Sequence, residues 1–342
     1  MGGNGQGKTS ILEAIYYLCT TKSSITKYDG EVVRFNEKQF EITGNFKELT
    51  ESTVRIFYSL EENKKYLFQN NKQISRSADI IGKFPVVLSA PADHAITQGS
   101  PGERRKFVDS IISQASETYL NYLLDYSKTL RHRASLLYRI KEEKSKALLS
   151  ELDAWTSKLI QTGSEIIKHR KKFIEDFNSF VGNSYMKIMG ENEAPGIVYD
   201  FLNGDKDYDI EQGFKNIIDS KREDELRRAS NLCGPHRDDF IFEIDGINLR
   251  NYGSQGQHKT FQTALRFAQF FYLKEKTGKT PIFLLDDVFG ELDINRSIKI
   301  SDYLKSIGQA FITLTDFTNF SFLERGKNDM MIKLNNGEAT YA

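Results

Sequence analysis

Two short stretches near opposite ends of the chain carry residue types suited to phosphate chemistry. Gly2-Gly3-Asn4-Gly5-Gln6-Gly7-Lys8-Thr9 fits the P-loop pattern G-x-x-x-x-G-K-[ST] at every fixed position. Glycines there let backbone N–H groups close round phosphate oxygens. Lys8 reaches the β- and γ-phosphates, and the Thr9 hydroxyl takes a Mg²⁺ position. Ser10 to Leu18 follow with helical spacing, which points a helix N-terminus at the anion. Toward the other end, Ile282-Phe283-Leu284-Leu285 runs straight into Asp286-Asp287. An apolar run of this length reads as a strand buried on both faces, as in a parallel sheet covered by helices. Carboxylates at the carboxyl end of such a strand face the crevice where ligands bind. One of them can hold Mg²⁺ while its neighbour polarises a water.

A third stretch, Tyr252-Gly253-Ser254-Gln255-Gly256-Gln257-His258-Lys259-Thr260, opens a helix expected over residues 258–276. Ser254, Gly256 and Gln257 at a helix start form a second phosphate cradle. One nucleotide has one triphosphate, and Gly2–Thr9 already claims it. The economical reading is that Ser254 and its neighbours serve the nucleotide of a second copy, making ATP the glue of a head-to-tail dimer. The plainer reading is a capped helix with a polar start.

The elements around these stretches follow from periodicity. Residues 31–75 alternate apolar and polar, with turns near Glu61-Glu62-Asn63 and Asn70-Asn71, and read as an antiparallel meander with one wet face. Phe84 to Ser89 reads as a buried strand. Ser100-Pro101-Gly102-Glu103 then has the form of a capping box opening a helix. Arg104 and Arg105 sit in its first turn, against the helix dipole; they fit either an anionic partner or acidic neighbours inside the fold. Residues 103–181 are helical in pattern, as two long antiparallel helices or several shorter ones. Leu152, Trp155, Leu159, Ile166, Phe173, Phe177 and Phe180 form an apolar series with steps of three, four and seven, and no sustained heptad of paired apolar positions, as a coiled coil needs, runs through these helices. Basic residues cluster here, including Arg131, Arg133, Lys141, Lys144, Arg170 and Lys171. They read as a solvated helix face or as a surface for nucleic-acid phosphates. Cys233-Gly234-Pro235-His236-Arg237-Asp238-Asp239-Phe240 is either a site or an internal ion-pair knot, and a hairpin turn is expected at Asp245-Gly246. Ala310 to Thr315 reads as one more buried strand with a hydroxyl at its end.

A P-loop normally follows a strand, yet Met1 stands directly before Gly2. The first strand is therefore expected to be missing, with the natural start some 20–40 residues upstream, room for a hairpin of ordinary strands.

The chain has 342 residues, which suggests two lobes, and a formal net charge of zero, so a nucleic-acid role must rest on local patches. Only Cys19 and Cys233 are present, which excludes a disulfide framework or a cysteine zinc site and makes a reducing cytoplasm the expectation. No apolar run approaches transmembrane length, and no membrane partner is expected.

Together these residues resemble an ATPase of the ABC/SMC superfamily. Walker A lies at Gly2–Thr9, the signature at Ser254–Gln257, Walker B at Phe283–Asp286 and the D-loop at Gly290–Asp293. Within it the chain is similar to the RecF recombination-repair family, through Gly99-Ser100-Pro101-Gly102-Glu103-Arg104-Arg105 with Asp109, through Gly234 to Asp239, and through Leu285-Asp286-Asp287-Val288 with Glu291-Leu292-Asp293. Ala92, Thr97 and Gly290 depart from the residues usual there.

The resemblance implies an α/β fold: a P-loop ABC/SMC-type ATPase head with an antiparallel β subdomain and an inserted helical lobe. The corresponding division is an ATPase lobe at 1–109 and 231–342, with the helical lobe at 110–230. It implies ATP and Mg²⁺ as cofactors, with Gly2, Gly3, Asn4, Gly5, Gln6, Gly7, Lys8, Thr9, Ser254, Gly256 and Gln257 at ATP and with Thr9 and Asp286 at the metal. Asp287 would orient the water, and Ser254 and Asp293 would lie at the dimer interface. Its implied partners are duplex, gapped and junction DNA, a second copy of the chain, and RecR and RecO, in the cytoplasm at the nucleoid. DNA contacts fall to Arg131, Arg133, Lys141, Lys144 and Lys171. With Asp287 where many ABC proteins carry Glu, a weak, slow ATPase is expected.

Rival readings are a transporter subunit, an SMC-like arm protein, a nuclease fused to such a head, and a clamp that binds ATP without hydrolysing it. The large basic insert disfavours the transporter, and missing heptads disfavour the arm protein. About 50 residues after Walker B leave too little chain for a nuclease domain of ordinary size.

Overall fold

The structure, a computed structural model, describes residues 1–341 apart from 4, 49, 144, 191–192, 203–208, 292–293, 316–328 and 336, and the backbone alone at 146, 290 and 291. In chain order, α1 (Lys8–Thr20) leads to β1 (Gln39–Lys47), β2 (Glu51–Ser59), β3 (Lys64–Gln69), β4 (Lys72–Ile74) and β5 (Val86–Ser89). The helices α2 (His94–Gln98), α3 (Pro101–Ala115), α4 (Glu117–Glu143) and α5 (Lys146–Met189) follow. Then come β6 (Pro195–Asp200), α6 (Ile210–Arg228), β7 (Asp239–Ile244), β8 (Ile247–Asn248), α7 (Leu249–Tyr252) and α8 (Gln255–Thr277). The chain closes with β9 (Ile282–Leu285), α9 (Ile294–Leu304), β10 (Gln309–Ile312), β11 (Ile332–Asn335) and β12 (Glu338–Tyr341).

The chain divides into two compact units. The first comprises Met1–Asp93, Ser184–Glu191 and Thr263–Ala342, and the second His94–Asn183 and Asn192–Gln262. The boundaries expected at 109/110 and 230/231 both fall inside the second unit. Within that unit Arg104 on α3 grips Asp239 at the start of β7 through two bonds, of 2.7 and 2.8 Å.

In the first unit β9 is the centre of a parallel sheet of order β10-β9-β5. A strand with neighbours on both edges and cover on both faces should be apolar throughout, and Phe283, Leu284 and Leu285 are all buried. Helix α1 lies between two layers. Its Leu12 and Cys19 pack with Val86 and Leu284 of the parallel sheet, and its Tyr17 and Leu18 pack with Val54, Ile56 and Leu67 of the meander. On the sheet's other side Phe267 meets Phe283 edge-on at 5.1 Å and stacks on Tyr303 of α9 at 4.4 Å. The meander has the expected order β1-β2-β3-β4. Asn70 and Asn71 both take left-handed backbone, as a two-residue hairpin turn requires.

In the second unit α4 and α5 are antiparallel. Tyr119 meets Arg170, Tyr126 abuts Gly163, and Arg133 meets Thr156, so positions on α5 descend as those on α4 ascend. The seven-residue steps of Leu152, Leu159, Ile166 and Phe173 keep one stripe of α5 buried along its length. The strands β6, β7 and β8 form a small antiparallel sheet, turning at Asp245-Gly246 as expected. Ser100 does stand at the N-cap of α3, but its side chain makes no cap bond. Glu103 pairs with Lys106 at 2.8 Å, so the expected capping box is not formed. Among the described residues no helix is long and apolar enough to cross a membrane.

Candidate functional site

The first unit brings the two ends of the chain together at one point. Gly7 precedes α1 with φ 95°, a left-handed conformation that a side chain would strain and that glycine adopts freely. This turn leads directly into α1, whose first two residues are Lys8 and Thr9. Thr9 Oγ1 donates a 2.9 Å hydrogen bond to Asp286 Oδ2, across 277 positions of sequence. The Lys8 ammonium donates to the carbonyls of Gly2 and Gly3 at 2.5 and 2.8 Å, holding the glycine turn closed on itself. Met1 and Gly2 are tied in by backbone bonds: Leu334 N–H donates to Met1 O and Gly2 N–H to Leu314 O.

Asp286 and Asp287 stand just past the carboxyl end of β9, as the apolar run predicts. Asp286 is buried, and its N–H donates to Ser89 O at the end of β5 at 2.8 Å. Asp287 is exposed, with φ 52°. Left-handed backbone at a non-glycine residue is uncommon and clusters at functional sites. Thr313, just after β10, donates to Asp286 Oδ1 at 2.8 Å and accepts the Asp287 N–H at 3.0 Å.

In the second unit the start of α8 is a reciprocal cap. Gln257 N–H donates to Ser254 Oγ at 3.1 Å, and Ser254 N–H donates to Gln257 Oε1 at 2.9 Å. Gln257 Nε2 is held by Glu193 at 2.8 Å. Behind this turn, buried His258 Nδ1 lies 3.0 Å from Thr97 Oγ1, which also accepts from Gln262 Nε2 at 2.6 Å. A hydroxyl at 97, where an aliphatic side chain was the usual residue, thus has two partners on α8. Asn4 and Asp293 lie outside the described residues, as does Leu292; Gly290 is described by its backbone alone.

The polar stretch 233–240 is an ion-pair knot. Arg170, buried, holds Asp109 through bonds of 3.0 and 2.9 Å and donates to Pro235 O at 2.7 Å. Its guanidinium also faces Asp238 at 3.5 Å, and the Tyr199 hydroxyl donates to the same carboxylate. Burial pushes the Asp238 carboxyl up to about 6 against the pull of Arg170. Burial likewise pulls His236 down to about 4, with its Nδ1 at 2.8 Å from Tyr126 Oη. Burial opposes the Arg170 cation too, but its acidic neighbours, Asp109 first and then Asp238, outweigh it and hold its pKa well above the ordinary value. Gly234 takes φ 122°, and a Cβ there would lie 2.5 Å from Tyr126 Oη. Arg104 and Arg105 are satisfied inside the fold, Arg104 by Asp239 and Arg105 by Asp238 O at 2.5 Å.

Among the residues expected at DNA, Arg131, Lys141 and Lys171 are exposed on α4 and α5, and Lys144 lies outside the described residues. Arg133 has to be withdrawn. It is 2 % exposed and bonded to Glu225 at 2.6 Å, Asn231 at 2.6 Å and Thr156 at 2.9 Å. Those three partners engage each of its three side-chain nitrogens inside the helical core. Arg170, which belonged to the same basic series, is a core residue as well.

Comparison with known proteins bears on the fold and the family. The family model described as RecF/RecN/SMC N terminal domain matches residues 1–337. The chain is 40% identical over 329 residues to the DNA replication and repair protein RecF of Chloroherpeton thalassium, covering 94% of this chain and 89% of the relative. A solved structure of the recombination mediator protein RecF with ATP, in the RecFOR pathway, superposes with a TM-score of 0.89 at 32% identity, covering 100% of this chain and 90% of the other. The Smc head domain of Pyrococcus furiosus shares the fold alone, with a TM-score of 0.54 at 15% identity over 100% of this chain and 88% of that one. The expected ATPase-head fold of RecF and SMC type is thereby confirmed, and the chain belongs to the RecF family of DNA replication and repair proteins.

Proposed function

We propose that this chain is an ATP-dependent DNA-binding protein of recombinational repair and replication maintenance, a slow ATPase that dimerises on ATP at gapped or stalled-fork DNA and helps a recombinase to load. The observation that carries this reading is the bond between Thr9 Oγ1 and Asp286 Oδ2. It joins a phosphate-binding turn to a carboxylate at the end of a central parallel strand.

In this reading ATP lies over the Gly2–Thr9 turn. Lys8 exchanges the carbonyls of Gly2 and Gly3 for the β- and γ-phosphates, and the N-terminus of α1 faces the same charge. The residues fit a hard divalent cation, because Thr9 and Asp286 offer only oxygen donors, 2.9 Å apart. Thr9 and Asp286 would hold the cation, and phosphate oxygens and water would supply its remaining oxygen donors. Mg²⁺ bound there would neutralise charge on the phosphates. Asp287 orients the attacking water, its carboxylate exposed beside Asp286.

Ser254 suits the role of closing the site of a second copy. Its Oγ accepts the Gln257 N–H within the cap, which leaves the hydroxyl hydrogen free to donate to a γ-phosphate oxygen. The capped-helix reading and the phosphate-cradle reading are therefore compatible. Asp293 belongs to the same interface by family pattern. Arg131, Lys141 and Lys171 are the basic residues offered to DNA phosphates. RecR and RecO are the partners proposed from the pathway in which the ATP-bound relative works.

The test is nucleotide-dependent stability. Ligand at a hundredfold over its Kd stabilises the native state by about 2.7 kcal/mol. Mg-ATP should raise the melting temperature of the first unit accordingly, and Lys8→Ala should remove the rise. Equal shifts in both chains would dismiss the nucleotide site.

A further inference from the structure

Thr313 belongs to none of the motifs that mark the site, yet it touches both of its carboxylate residues. It follows β10 on the strand next to β9, and its own N–H donates to Leu285 O at 3.0 Å, so its position is fixed by the sheet. The residue is buried. Its hydroxyl hydrogen goes to Asp286 Oδ1 at 2.8 Å, and its oxygen accepts the Asp287 N–H at 3.0 Å. One hydroxyl has one hydrogen and two lone pairs, so both roles are filled at once without conflict.

The consequences differ for the two aspartates. Asp286 has a donor on each oxygen, Thr313 on Oδ1 and Thr9 on Oδ2. Two donors on opposite oxygens fix the plane of the carboxylate, and the remaining lone pairs stay available for a cation or its water. Asp287 is held instead through its backbone. Its φ of 52° is a conformation that an L-residue leaves readily, and the bond from its N–H to Thr313 tethers it there. The direction of the Asp287 side chain therefore depends on a hydroxyl 26 positions further along the chain.

We infer that Thr313 is a positioning residue of the nucleotide site, orienting Asp286 toward the divalent cation and Asp287 toward the attacking water; this rests on the reading of the site as one for Mg-ATP. A hydroxyl is required, and its methyl group is not. Valine preserves shape and removes both bonds, whereas serine preserves both bonds and removes a methyl group.

The test is a Mg²⁺ titration at fixed ATP, read by melting temperature, on the full chain and on Thr313→Val and Thr313→Ser. Loss of a group that orients a metal ligand commonly costs tenfold to a hundredfold in metal affinity. Thr313→Val should need about tenfold more Mg²⁺ for half-maximal stabilisation and should turn over ATP about tenfold more slowly. Its affinity for ATP without Mg²⁺ should match that of the unsubstituted chain, and Thr313→Ser should restore the Mg²⁺ requirement. If Thr313→Val merely melts earlier, with its Mg²⁺ midpoint and turnover unchanged, the inference is overturned and the nucleotide site stands. If the unsubstituted chain does not respond to Mg-ATP, the nucleotide reading falls and takes this inference with it.

Discussion

Asp287→Asn lowers ATP turnover by about 10²–10⁴, the usual worth of a positioned carboxylate in proton transfer, and leaves Mg-ATP binding intact. The substitution is nearly isosteric, and Asp287 is exposed, so the fold is not at stake. The backbone bond to Thr313 is retained as well, because it uses the N–H and not the side chain. What is lost is the carboxylate charge proposed to orient the attacking water. The variant should accumulate as a long-lived ATP-bound dimer, visible as retention of labelled nucleotide in gel filtration. A turnover within a few-fold of the unsubstituted chain, with the same ATP lifetime, would instead favour a clamp that is switched by binding alone. A rate in the unsubstituted chain far above about 1 s⁻¹ would argue against a timed switch, since that approaches ordinary enzyme medians.

The second large effect is structural. Arg170→Met destabilises the second unit by about 3–5 kcal/mol, the range for removing one partner of a buried ion pair. Asp109 loses two bonds, Pro235 O loses its donor, and Asp238 loses the cation that opposes its burial. Domains are stable by only about 5–15 kcal/mol, so this change takes a large share of the total. Arg237→Ala is the control. Arg237 is exposed and makes one 3.2 Å bond to Asn231 O, so its loss should cost no more than about 0.5 kcal/mol. Urea unfolding of both variants, followed by fluorescence of Trp155 on α5, separates the two cases. Equal midpoints would mean that the knot contributes nothing to stability.

The contrast between Arg170 and Arg237 marks how far the sequence could be read. The phosphate turn and the acidic strand are legible because their chemistry demands fixed residue types at fixed spacing. Burial of β9 on both faces leaves an apolar run with no polar alternation, and that too is visible in one dimension. The meander and its Asn70-Asn71 turn follow from alternation and from left-handed backbone. The fate of a basic residue in a helix is different. Arg131 and Arg133 are two positions apart, yet one is exposed and the other lies in the core. The carboxylate that decides it, Glu225, is 92 positions away. No local pattern carries that information. The same holds for the pairing of Arg104 with Asp239, 135 positions away and in the same unit. At Ser100 the sequence pattern was present and the side-chain cap bond was not, and the Glu103 side chain pairs with Lys106. Thr313 was legible only as an interior residue of the strand expected over Ala310 to Thr315, whereas β10 ends at Ile312. Its two partners become apparent once β10 is known to lie beside β9.

The central claim is that each nucleotide is enclosed by Gly2–Thr9 of one copy and by Ser254 of another. Sedimentation velocity with Mg-ATP tests it most directly, on the unsubstituted chain, on Lys8→Ala, on Ser254→Arg, and on an equimolar mixture of the two variants. The unsubstituted chain should pass from monomer to dimer on addition of Mg-ATP, and each variant alone should stay monomeric. The mixture should dimerise, because an intact turn in one partner then faces an intact Ser254 in the other. A mixture that stays monomeric while the unsubstituted chain dimerises would contradict a shared site, and a dimer formed equally well without ATP would contradict nucleotide as its cause.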